Sequence, residues 1–312
     1  MSAFFHAVGV FFHHLAAVRW EALALALACQ VAKLLLRAVA WRSIVQAAYP
    51  DRRVGYWSAF GAYVAGGGVN AIVPARGGDL VKLYLIRQRV PGSSYATLAP
   101  TLLVETIFDL VVSGALLAWA LTLGVLPTHE VYARLPTVDW KFFLRHEKLT
   151  AILLGVLALL LAIGLLWARL RVEAFWERVR QGFAILRDRP RFLTRVIVPQ
   201  ALSWGFRLAT IVFFLRAFRV QATLHNALLA QVVESLATLF PATPGGAGTK
   251  QGLIVFLFRH QAVSRSQLLA FSVGMNIALS VVSVVLGLAA IGIMARTLSF
   301  KRLRLRAEQP ST

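Results

Sequence analysis

The stretch Gly66-Gly67-Gly68-Val69-Asn70-Ala71-Ile72-Val73-Pro74-Ala75-Arg76-Gly77-Gly78-Asp79-Leu80-Val81-Lys82 interrupts an apolar run that began near residue 56. Glycine and proline at this density end helical structure. The arm that follows, to about residue 90, carries Lys82, Arg87 and Arg89 and is too short and too charged to cross a bilayer. A second interruption, Pro241-Ala242-Thr243-Pro244-Gly245-Gly246-Ala247-Gly248, ends an apolar arm and is followed by a short return from Leu253 to Phe258. Broken backbone at membrane depth is tolerated only where protein or a wet cavity covers it. Residues 56–90 and 222–260 are therefore read as two re-entrant hairpins; the alternative is two pairs of short crossings joined by Gly/Pro turns.

The composition places these breaks inside a membrane protein. Of 312 residues, 58% are hydrophobic and only 15% charged, where a soluble globule carries about 25% charge. Mean hydropathy is +0.69. Besides the two broken regions, five stretches have the length and apolarity of a crossing: 20–41, 95–126, 150–168, 195–216 and 268–295. The fold class expected is an all-α polytopic integral membrane protein. Residues 3–18, with Phe4, Phe5, Val8, Phe11, Phe12 and Leu15 near helical spacing, read as an interfacial helix, and no cleaved signal peptide is expected.

Thirty-three basic residues against 13 acidic give a formal charge of +20, which in a soluble chain would point to nucleic acid. Here the bases flank apolar stretches, so the partner expected is anionic membrane lipid and no nucleic acid. With 37–53, 76–89, 169–195 and 296–306 on one side, that side holds 21 Lys and Arg against 10 opposite. The positive-inside rule then puts the N-terminus outside and the C-terminus in the cytoplasm of a cell inner (plasma) membrane. Lys33 and Arg37 lie in the second half of the first crossing, where they can snorkel to the nearer surface or pair with carboxylates.

This assignment exposes a repeat. Residues 20–126 run crossing, hairpin, crossing, and residues 195–295 repeat that order with inverted topology. Gly77, Gly78 and Lys82 precede Gly245, Gly246 and Lys250 by 168 residues. Residues 1–19 form the interfacial helix, 127–194 the outer loop, a linking crossing and a cytoplasmic amphipathic segment, and 296–312 a basic tail. Inverted repeats with broken segments meeting near the midplane are a layout of transporters.

Few residues in this chain can carry chemistry. Glu105 and Asp109 lie four apart on one helix face. An ionised side chain at a helix centre costs roughly 2.5–3.5 kcal/mol on insertion scales, so both should face the bundle interior or water. They read either as a proton relay or headgroup-binding pair, or as a structural ion pair with Lys33, Arg37 or Arg207. Glu234, on the second hairpin, is open to the same two readings. Arg76 and Lys82 near a helix start read as a phosphate site, and Arg76 reads equally as a base snorkelling to the surface. Asp79 reads as a cap for a helix beginning at Leu80, and Asn70 as a helix-packing or ligand-binding amide. The single cysteine, Cys29, and the scattered histidines imply no metal and no cofactor.

Taken in order, Asn70, Pro74 to Lys82, Glu105 to Asp109, and Pro241 to Gly248 resemble the lysylphosphatidylglycerol synthase transmembrane (flippase-like) family over about residues 15–295. The resemblance implies a free-standing member without the aminoacyl-transferase domain, acting in lipid or lipid-linked-sugar transport. Three departures stand out against the family pattern. Gly78-Asp79-Leu80-Val81-Lys82 stands for Gly-Glu-x-x-Arg, Thr106 replaces the Arg of Glu-Arg-x-x-Asp, and Gln251 replaces a Glu after the Pro-Gly-Gly motif. The function expected is a non-enzymatic lipid translocase for a phospholipid or polyprenyl-phosphate-linked lipid. Asn70, Arg76, Asp79, Lys82, Glu105, Asp109, Glu234, Gly245 and Gly246 are its candidate substrate-binding residues. The alternatives are a membrane scaffold for a cell-envelope glycosyltransferase or lipid-synthesis enzyme, and a membrane-embedded lipid-phosphate enzyme.

Overall fold

The computed structural model describes residues 18–73, 77–122, 172–239, 249–258 and 263–307, and they are helical throughout apart from short turns. Four helices are long and apolar enough to cross a membrane: α1 (Trp20–Ala48), α4 (Tyr95–Thr122), α6 (Arg189–Ala217, with one π-helical turn at Leu193–Ile197) and α9 (Arg265–Ala307). They coincide with four of the five expected crossings. The fifth, 150–168, lies outside the described residues, as do the interfacial segment 3–17 and the Pro241–Gly248 break. Between the crossings stand α2 (Tyr56–Ile72), α3 (Gly77–Arg89), α7 (Leu224–Leu239) and α8 (Thr249–Leu257). At ~1.5 Å per residue, α3 and α8 reach only about 20 and 14 Å, well short of a ~30 Å hydrocarbon core. The expected amphipathic segment is α5 (Val172–Gly182), whose Trp176 is exposed while Ile185, just after it, is buried.

Exposure confirms which solvent the fold was built for. Leu103, Ile107, Leu110 and Val111 on α4 are more than half exposed, as are Ile277, Val281, Val285 and Leu288 on α9. Each set recurs every three or four residues, so each marks one helix face turned outward. Apolar faces of this extent are a liability in water. In lipid they incur no hydration cost, and the helical backbone behind them satisfies its own hydrogen bonds.

The interior divides into two main cores. One gathers Phe214, Leu215, Ala230, Val233, Ile254 and Phe271 from α6 to α9 with Ala26 from the start of α1. The other gathers Trp41 and Val45 from the end of α1, Ala62 and Val64 of α2, Ile86 of α3, and Ala290 and Met294 of α9. Since α1 enters the first with its beginning and the second with its end, the cores occupy opposite ends of the bundle. The α2–α3 pair belongs to one end and the α7–α8 pair to the other. Helix α1 packs along α6 and α2 lies against α9, while α7 lies against α6 and also touches α4, and α8 lies against α9.

Glycine makes the closest of these contacts possible. A Cβ on Gly68 would stand 2.7 Å from the Ser283 carbonyl and 2.9 Å from the Gly287 Cα, both backbone atoms of α9. One on Gly66 would stand 2.7 Å from the Gly78 carbonyl across the α2–α3 pair. Gly67, between them, has open space around it. Substituting Gly68→Ala is therefore expected to destabilise the protein by about 1–3 kcal/mol, the usual cost of overpacking. Gly67→Ala should be neutral or stabilising by up to about 1 kcal/mol, because alanine is the better helix former. Thermal unfolding of the two variants in detergent, side by side, checks this pair of outcomes.

Candidate functional site

At mid-length the crossings turn their few charged residues inward. Arg37 of α1 does not snorkel to a surface; it is buried and faces α4. One guanidinium nitrogen donates to Glu105 Oε1 at 3.1 Å and to Asp109 Oδ2 at 2.6 Å, and the other donates to Asp109 Oδ1. Four residues on one helix bring Glu105 and Asp109 to the same face, one turn apart, where one guanidinium reaches both. Of the three bases open as partners in the sequence, Arg37 takes both carboxylates.

Lys82 of α3 completes the group. Its ammonium donates to Glu105 Oε2 at 2.9 Å and lies 4.2 Å from the Trp41 ring centre and 4.0 Å from that of Tyr63. A cation between two aromatic faces and a carboxylate is well compensated for burial. The Tyr63 hydroxyl donates to Glu105 Oε1 at 2.6 Å. Glu105 thus accepts from Arg37, Tyr63 and Lys82, and its side chain is only 9% exposed. Asp109 accepts from Arg37 and, at 2.9 Å, from the Trp204 indole of α6, yet its side chain remains 31% exposed. Asp109 is the member of this group that water or a ligand can reach.

The start of α3 departs from the sequence reading. The helix begins at Gly77 rather than Leu80, which places Asp79 inside its first turn. The free amide of Gly78 donates to Asn70 Oδ1 at 2.7 Å, and Asn70 Nδ2 donates to Asp79 Oδ1 at 3.2 Å. Asn70, from the end of α2, satisfies the helix start that Asp79 was expected to cap. In the second pair, Lys250 donates to Glu234 Oε2 at 2.8 Å, closing α8 onto α7. Arg76, Gly245 and Gly246 lie outside the described residues.

Two cavities meet at this group. One, of 260 Å³, is lined by Asn70, Asp79, Lys82, Glu105 and Asp109 among others. The second, of 310 Å³, lies between α4 and α7 beside Arg207, and the two share Thr106 and Asp109. The Thr106 hydroxyl donates back to the Leu102 carbonyl at 2.9 Å. Thr106, a short side chain with an internally satisfied hydroxyl, stands where the two cavities adjoin. Tyr63, Trp41 and Trp204 were not singled out in the sequence, since aromatics in apolar helices read equally well as lipid-facing; only their spacing to the charged residues in three dimensions reveals them. Among the described residues no group of three or more metal-ligating side chains occurs.

An all-helical, multi-pass membrane protein with a buried charge cluster at mid-depth is the class these features define. The family described as the lysylphosphatidylglycerol synthase TM region matches residues 3–287, and the chain belongs to it. A UPF0104 membrane protein of Methanocaldococcus jannaschii is 22% identical over 209 residues, covering 64% of this chain and 82% of the relative. No solved structure matches the chain.

The group is expected to be tightly coupled to folding. Removing one partner of a buried ion pair commonly costs about 3–5 kcal/mol, because the other charge is stranded. Arg37→Gln leaves Asp109 without a cationic partner, while Glu105 keeps Lys82 and Tyr63, and is expected to reduce thermal stability by about that amount. Adding Asp109→Asn to Arg37→Gln removes the stranded charge and should restore part of the loss, which a double-mutant cycle on melting temperature in detergent measures.

Proposed function

We propose that the protein is a lipid translocator, moving a phospholipid or a polyprenyl-phosphate-linked lipid between leaflets of the cytoplasmic membrane. The observation that carries this reading is the 260 Å³ cavity at mid-depth, lined by Asp79, Lys82, Glu105 and Asp109 beside the interrupted α2–α3 pair. A cavity with ionisable walls inside an apolar bundle has no structural purpose that a packed apolar core would not serve better. The two-ended cores support reading α2–α3 and α7–α8 as re-entrant hairpins entered from opposite faces. The contacts of α2 with α9 and of α7 with α4 run between the two halves, in line with an inverted repeat. Orientation follows the charge asymmetry, with the N-terminus outside.

Within this mechanism Glu105, held by three donors, maintains the scaffold of the site. Asp109, partly accessible and shared by both cavities, exchanges its contacts as a headgroup or proton passes. Lys82 is committed to Glu105 and its aromatic neighbours, so direct phosphate contact from this hairpin falls to Arg76. Rocking of the two halves about the site would expose it to each face in turn.

Reconstitution of the pure protein in liposomes tests the proposal, with neutral, anionic and aminoacylated phospholipids and a polyprenyl phosphate as cargo. Headgroup-selective movement is expected for the wild type. Arg76→Ala and Asp109→Asn are each expected to lower it at least tenfold while keeping the wild-type elution profile, and Glu105→Gln to lose both movement and stability. Folded protein that moves none of these lipids would overturn the proposal and favour a scaffold for a cell-envelope synthesis enzyme, to be sought by co-purification.

A further inference from the structure

We infer that a cavity of 630 Å³, at the end of the bundle where α1 stops and α6 starts, binds a water-soluble, hydroxyl-bearing organic phosphate. Three guanidiniums line it from two segments far apart in sequence, Arg42 from α1 and Arg191 and Arg195 from α6, against one carboxylate, Asp188. That carboxylate is already committed. It accepts from the Arg191 backbone amide at 3.2 Å, capping α6, and pairs with Arg191 Nε at 3.1 Å. Arg42 is anchored through its Nε, which donates to the Val54 carbonyl at 2.7 Å and leaves the two terminal nitrogens for another acceptor. Among the described residues no carboxylate stands within ion-pair distance of Arg42 or Arg195. Bases that only anchor a membrane end point separately into the headgroup layer, whereas these share one concavity with the buried Ile185. The guanidinium fork matches phosphate oxygens with two parallel hydrogen bonds.

The rest of the lining decides what carries the phosphate. Ser43 Oγ donates to the Val39 carbonyl at 2.9 Å, and Thr194 Oγ1 to the Pro190 carbonyl at 2.8 Å. Each hydroxyl has its one proton engaged and offers lone pairs, which suit hydroxyl donors on a ligand. The volume is that of a small-molecule site, much larger than one inorganic phosphate. Lining residues from 42 to 50 follow the crossing expected over 20–41, and those from 184 to 195 reach no further than the first residue of the crossing over 195–216. Ile185 is the one large aliphatic among them, so hydrocarbon chains would find no apolar exit, and a soluble molecule fits better than a lipid. Thr194 and Arg195 also lie in the π-helical turn of α6, where the Val198 amide reaches back five residues to the Leu193 carbonyl. Such turns inside α-helices recur at functional sites. The two helices that line the cavity are those that carry Arg37 and Trp204 to the buried charge group.

Isothermal titration calorimetry of the full-length protein in neutral detergent reads the site. Glucose 6-phosphate and adenosine 5′-monophosphate serve as probes, with glucose and adenosine as their phosphate-free controls. At least one phosphate is expected to bind at least about tenfold more tightly than its control, the scale of a charge-assisted hydrogen bond. Arg195→Gln should remove that preference and Arg195→Lys should keep part of it. Asp188→Asn still caps α6 and removes the one carboxylate, so it should tighten binding, a gain that misfolded protein cannot give. Two phosphates that bind no better than their controls would overturn the inference, as would undiminished affinity in folded Arg195→Gln protein. Inorganic phosphate binding as tightly as either ester would also overturn it, by marking a free-anion site. Displacement of the bound probe by an equal concentration of dioleoylphosphatidylglycerol would do the same, by assigning the cavity to lipid headgroups. Binding here is measured without transport, so its failure leaves the translocation reading untouched.

Discussion

Arg37 cannot leave the bundle interior without depriving Asp109 of its cationic partner, and the two carboxylates cannot both face lipid without stranding Arg37. This mutual constraint fixes the rotation of α1 against α4, because only one face of each helix carries the partners. Lys82 then docks the short α3 onto the same carboxylate, and the Trp204 indole bonds Asp109 from α6. Four helices are thereby held in register by polar contacts that hydrocarbon cannot replace. In lipid, where apolar side chains gain little by meeting one another, such contacts and close backbone packing are what specify an arrangement.

The same contacts sort the charged residues by what remains available to a ligand. Glu105 accepts from three donors, and Lys82 is enclosed by two rings and a carboxylate. Asp109 keeps an open side and lines both cavities, and so does Thr106 beside it. Arg207 of α6 lines the second cavity beside them.

Much of this architecture was legible in the sequence because membrane crossings announce themselves by length and apolarity. Runs of glycine and proline likewise mark where helices stop. The four described crossings and the short arms follow from those two signals. The pairing was not legible. Whether Arg37 snorkels or turns inward depends on helix rotation, which low-moment, uniformly apolar helices such as α1 do not encode locally. The start of α3 was misplaced by three residues because Asp79 is a good capping residue, while the side chain that meets the free Gly78 amide, Asn70, comes from the preceding helix. Trp41, Tyr63 and Trp204 gave no signal of their own, since an aromatic in an apolar helix faces lipid or a cation with equal ease in sequence. The repeat was visible in element order but hardly in residue identity, and the polar contacts do not repeat: Lys82 reaches forward to α4, whereas Lys250 reaches back to α7.

The two main cores at opposite ends of the bundle have a consequence for cooperativity. All-or-none unfolding requires that loss of packing anywhere removes support everywhere. Here α1, α6 and α9 are the struts joining two main packed regions, with a polar layer between them. One end can therefore lose its packing while the other keeps it, and protection against hydrogen exchange will divide into two blocks rather than rise and fall as one. For such a molecule the exchange protection of each end, read separately, says which half a substitution weakens.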